Sequence, residues 1–110
     1  MTHRTLIVAR MRPESADRIA EVFAASDEGE LPGLIGVSGR SLFHFGDDLY
    51  LHLVEADTPP DRQVARHQSH PEFRGISERL KPFVLPYDPE TWREPKDAMA
   101  QEFYRWERSG

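Results

Sequence analysis

The 110-residue chain contains no cysteine. Disulfides, thiolate catalysis and Cys-ligated metal sites are therefore excluded, and a reducing cytoplasmic setting is expected. There is also no long hydrophobic run. No segment approaches the ~20 apolar residues of a membrane span, and the first residues carry no apolar signal-peptide core. Positive charge is in deficit: 14 Lys and Arg stand against 19 Asp and Glu, for a net charge of −5. A nucleic-acid binder shows the opposite balance, a basic patch or stripe. The same balance argues against docking on an anionic membrane. The glycines at 29, 33, 36 and 39 do not form a phosphate loop, since there is no G-x-x-x-x-G-K. A mean hydropathy of −0.64 leaves little surplus apolar material for a large core. One domain over residues 1–110 is the expectation from length. A partner subunit would help shelter both faces of a small sheet.

What is present has a clear order. Thr5–Ala9 is β-prone. Pro13 opens a helix with Glu14 and Asp17 suiting its positive N-terminal dipole, and Ala16, Ile19, Ala20 and Phe23 share one helical face. Residues 30–33 read as a loop. Leu34–Phe45 reads as a strand, with Ile35, Val37, Phe43 and Phe45 on one parity. Gly36, Arg40 and Leu42 stand on the other. Gly46-Asp47-Asp48 is a hairpin turn. The next strand, around Asp48–Ala56, carries His52 at its centre.

Register decides what His52 meets. Pairing Phe45 with Leu49 across a three-residue loop sets Leu42 opposite His52. Arg40 is then its diagonal neighbour on the same face, at about 7–8 Å between backbones. A two-residue loop would turn His52 to the other face. The first register is preferred, because it gathers Phe43, Phe45, Leu49, Leu51 and Leu53.

Thr58-Pro59 suits the start of a second helical region. Ser69-His70-Pro71-Glu72 has capping-box spacing, and Phe73, Ile76 and Leu80 continue one face. Residues 82–97 hold four prolines and read as a loop or lid. The aromatic segment Ala98–Trp106 reads as a final strand. The order β-α-β-β-α-β predicts an α+β, ferredoxin-like fold: a four-stranded antiparallel sheet with helices on one face.

Several segments resemble the tetracenomycin F2 cyclase type of aromatic polyketide cyclase. They are Arg10-Met11, Glu30-Leu31-Pro32, Ile35-Gly36-Val37, Arg40, Leu42–Phe45, Asp48–Ala56, Ser69-His70-Pro71 and Phe103–Trp106. Their order and spacing span roughly Arg4 to Trp106. The resemblance implies a homodimer of the dimeric α/β-barrel group, and late ring closure by intramolecular aldol condensation and dehydration. It implies an aromatic polyketide intermediate as substrate, in pathways to antibiotics or spore pigments, and association with type II polyketide synthase components. It implies no metal or organic cofactor. Matching polar positions are Asp27, Arg40 and His52. The family pattern often has a histidine directly before the aspartate, where this chain has Ser26.

The chemistry suits those residues. An imidazole near its ordinary pKa of about 6.5 is an acid or base at cellular pH. A guanidinium holds an oxyanion without titrating. His52 is the expected acid/base, Arg40 the oxyanion or carboxylate holder, and Asp27 a group that orients His52 or binds a phenol. Phe43, Tyr50, Phe73, Trp92 and Tyr104 are the expected lining for a flat polycycle, with Trp106 beside them. His67 and His70 have H-x-x-H spacing, but Pro71 places His70 at a helix boundary, and no metal site is expected. Two rival readings stand beside the cyclase: a cofactor-free monooxygenase of the same fold, and a non-catalytic polyketide-binding accessory protein.

Overall fold

The computed structural model describes residues 3–67, 69–93 and 95–108. The sheet is built from β1 (His3–Met11), β2 (Val37–Phe45), β3 (Leu49–Ala56), β4 (Val84–Pro86) and β5 (Met99–Ala100). Its order is β2-β3-β1-β4, every pair is antiparallel, and β5 also pairs with β1. Helices α1 (Ala16–Asp27), α2 (Leu31–Ile35), α3 (Pro60–His67) and α4 (Pro71–Leu80) complete the α+β, ferredoxin-like arrangement. Among the described residues no helix is long and apolar enough to cross a membrane.

The core sits between the inner face of the sheet and the helices. Ala9 and Met11 from β1, Tyr50 from β3, Ile19 and Phe23 from α1, Leu31 and Ile35 from α2 and Ile76 from α4 are buried together. β3 alternates strictly, with Tyr50, His52, Val54 and Ala56 buried and their neighbours half-buried. This two-residue period is what a strand covered on one face requires. Its sequence L-Y-L-H-L-V-E-A hides that polarity, because the outer positions are mostly leucines.

The expected β2–β3 register is present: Phe45 pairs with Leu49, Leu42 with His52 and Arg40 with Val54. Gly46 (φ +67°) takes the left-handed turn conformation that a residue with Cβ adopts only at a cost. Elsewhere the structure corrects the sequence reading. Residues 31–35 form a helix rather than loop and strand, and Gly36 at φ +81° ends it. A bulge between Val37 and Gly39 shifts the parity, so Val37 faces the core with Arg40 and not outward with Phe43. On α1 the buried side is Ile19 and Phe23, while Ala16 and Ala20 are exposed.

Helix α3 starts at Pro60, one residue later than Thr58-Pro59 suggested. The cap of α4 is His70, whose Nδ1 accepts the Glu72 backbone N–H at 3.1 Å, rather than Ser69. The fourth strand is Val84–Pro86, inside the segment read as a lid. Pro86 is tolerated because β4 lies at the sheet edge. Conversely, only Met99–Ala100 of the expected last strand pairs. Residues 101–108 have no regular structure and are exposed.

Candidate functional site

Three side chains of the β2–β3 hairpin form a chain, and the first of them, Arg40, meets a carboxylate from the end of α1. Arg40 and His52 are diagonal partners across the hairpin, and Tyr50 is two residues before His52 on the same face. Arg40 Nε donates to both oxygens of Asp27 at 3.1 Å, and its Nη2 donates to Asp27 Oδ1 at 2.8 Å. Arg40 Nη1 lies 3.0 Å from His52 Nε2. His52 Nδ1 lies 3.2 Å from the Tyr50 hydroxyl. The guanidinium also stacks 4.9 Å from the centre of the Phe23 ring, which meets His52 edge-on at the same centroid distance. A planar cation gripped in this way has little freedom left to lose when it binds something else.

Asp27 thus pairs with Arg40, and the structure gives it no contact with His52. Among the described residues no buried side-chain nitrogen or oxygen lacks a partner, so the cluster avoids the penalty of an unpaired buried polar group.

Burial sets the electrostatics. His52 is 4 % exposed. Its pKa is pushed down from 6.5 to about 3, first by burial and then by the Arg40 charge. This corrects the expectation of an imidazole titrating near neutrality. His52 is neutral at cellular pH, and its Nε2 lone pair is occupied by Arg40. The Tyr50 phenol is raised well above its ordinary range by burial, with Arg40 pulling it part of the way back.

These groups form part of the wall of a cavity of about 460 Å³ between sheet and helices. That volume lies within the range of small-molecule sites. The rest of the wall is mainly apolar, with Ile35 from α2, Phe73, Ile76 and Leu80 from α4, and Trp92. Of the expected aromatic lining, Tyr50, Phe73 and Trp92 are there. Phe43 is not, because it points from the opposite face of the sheet. Tyr104 is not, because it lies in the exposed terminal segment with Phe103 and Trp106. Sequence reasoning missed Ile35, which it placed in a strand; the pattern Leu31–Ile35 closed by Gly36 was the available signal.

The chain is similar to known proteins along nearly its whole length. The family model described as polyketide synthesis cyclase matches residues 3–107. An uncharacterized protein of Streptomyces coelicolor is 64 % identical over 97 % of this chain and 96 % of its own. A Streptomyces cyaneus protein named polyketide synthase CurG is 55 % identical over 96 % of this chain and 98 % of its own. The solved structure of tetracenomycin F2 cyclase from Streptomyces glaucescens, described as a type II polyketide cyclase, superposes with a TM-score of 0.89. It is 42 % identical, over 97 % of this chain and 99 % of that one.

Proposed function

Because this chain belongs to the polyketide synthesis cyclase family, we propose that it closes a ring in an aromatic type II polyketide intermediate. The reaction is an intramolecular aldol condensation followed by loss of water, without a metal or organic cofactor. The observation that carries this reading is the Arg40–His52–Tyr50 cluster set into the wall of an otherwise mainly apolar cavity.

A guanidinium has five N–H bonds, on Nε, Nη1 and Nη2. Asp27 and His52 take three of those of Arg40. One on Nη1 and one on Nη2 remain for a substrate oxygen. They suit a carbonyl oxygen that gains negative charge as the carbon–carbon bond forms. Aimed from a low-dielectric wall, such donors stabilise that charge more than water does. Asp27 fixes the fork, and neutral His52 fixes its other edge. The aliphatic and aromatic walls bend the poly-β-ketone so that nucleophilic carbon and carbonyl carbon meet. For so reactive a chain, much of the acceleration comes from that alignment.

The outer face of the sheet supports a homodimer. Phe43 and Phe45 are exposed there beside half-buried Leu49, Leu51 and Leu53. A contiguous apolar face of this kind marks an interaction surface, and a second copy would cover it.

The test is incubation of purified, metal-stripped protein with a partly cyclised aromatic polyketide, with and without oxygen, following product mass. Accelerated loss of one water regardless of oxygen is expected. Oxygen-dependent gain of an oxygen atom would assign a monooxygenase, and an unchanged bound substrate would assign a carrier. Replacing Arg40 and His52 together with Gln is expected to lower the rate by ~100-fold or more while the far-ultraviolet dichroism persists. Unchanged turnover in that variant would leave the cavity as a passive template.

A further inference from the structure

The hydrogen positions in the Arg40–His52–Tyr50 chain follow from donor chemistry. A guanidinium only donates. The 3.0 Å contact with Arg40 Nη1 therefore makes His52 Nε2 an acceptor. In a neutral imidazole the proton is then on Nδ1. That nitrogen donates to the Tyr50 oxygen at 3.2 Å. The hydroxyl hydrogen of Tyr50 is consequently not used by His52, and no other side chain among the described residues accepts it. Tyr50 is 3 % exposed, and it lines the cavity beside Arg40.

From this directional chain, and resting on the cyclase reading above, we propose that Tyr50 is the catalytic proton donor to the carbonyl oxygen that ring closure converts to a hydroxyl. His52 is its positioning residue, and Arg40 sets the tautomer of His52. The enol carbon of the substrate forms the new bond to the carbonyl carbon, and the carbonyl π pair moves to oxygen. That oxygen takes the Tyr50 hydroxyl proton. The tyrosinate left behind accepts the His52 Nδ1–H hydrogen bond and faces the positive charge of Arg40. The enol hydroxyl, now a carbonyl, gives its proton to water, and water returns a proton to Tyr50. One bond has formed, and the cycle leaves no net proton.

Two measurements test the assignment. The first is steady-state ring closure by wild type and Tyr50→Phe, with solvent deuterium isotope effects. A kcat fall of ~100-fold or more with KM changed less than about threefold is expected, together with loss of the wild-type isotope effect on kcat. A merely structural role would lower the active fraction and leave the isotope effect in place. A Tyr50→Phe enzyme with kcat within about twofold of wild type overturns the proposal while the cyclase reading stands. No turnover by wild type sinks both.

The second measurement needs no variant, which guards against a Tyr50→Phe chain that fails to fold. Nitrogen-15 NMR of wild-type His52 is expected to show the Nδ1–H tautomer. An Nε2–H tautomer would tie the Tyr50 hydroxyl hydrogen to Nδ1 and overturn the proposal.

Discussion

His52 in the folded chain takes up a proton only near pH 3, whereas in an unfolded chain it does so near 6.5. Its folded pKa is depressed, so its contribution to stability is complete above about pH 6.5. Between there and pH 3 the unfolded state binds a proton that the folded state refuses, and that contribution is lost. At pH 5 the loss is about 2 kcal/mol by linkage. Urea unfolding at about pH 7.5 and pH 5 is expected to show this decrement in wild type. His52→Gln is expected to lack that share of the difference, since it has no imidazole to protonate. An equal decrement in both proteins would place the acid sensitivity elsewhere. The ion pair beside it contributes less than its short distances suggest, because the Asp27 side chain is 39 % exposed and water screens it. Its value is geometric: it points Arg40 at His52.

At the scale of elements, Gly36 turns the chain from α2 into the strand that carries Arg40. Its φ of +81° is strained for any residue with Cβ, and an added Cβ would sit 3.4 Å from Thr58 Oγ1. Gly36→Ala is expected to cost about 1–2 kcal/mol in thermal or urea unfolding. Gly33→Ala, inside α2 with nothing within 4 Å of the new Cβ, is expected to be neutral or stabilising by about 0.5–1 kcal/mol. A matched pair of losses would show that α2 does not form as described. The same elements show how much was legible in the sequence. The β2–β3 register, and with it the Arg40–His52 diagonal, could be read because Gly46-Asp47-Asp48 fixes the loop length. The short α2 could not be read from periodicity, since five residues span little more than one helical turn, and Gly36 behind Ile35 was its one local signal. Val84–Pro86 was hidden by its proline, Pro86, which only its edge position excuses. Phe103–Trp106 has β propensity, yet among the described residues it forms no strand: β1 is paired on both sides, by β3 on one and by β4 and β5 on the other. Propensity cannot reveal which edges are already filled. Nor could residue types report the degree of burial that takes His52 out of the neutral titration range.

At the scale of the whole molecule, the Cα radius of gyration is 13.9 Å, against about 13 Å expected for a compact chain of this length. The exposed terminal segment fits that small excess. Phe45 is 69 % and Phe43 52 % exposed on the outer sheet face. Sedimentation of wild type is expected to give a dimer, and Phe43→Asp is expected to shift it toward monomer while leaving the dichroism and the His52 tautomer intact. A monomeric wild type would refute the sheet-face interface. The way the cavity is assembled bears on the evolution of specificity. Its Arg40, Tyr50 and His52 corner comes from one hairpin, whereas its shape is set largely by α2, α4 and the stretch around Trp92. Heritable change in the second set can alter which carbon skeleton fits without rebuilding the first. Descendants of such a chain can therefore change what the cavity accepts by drift in the walls while the Arg40–Tyr50–His52 corner is inherited unchanged.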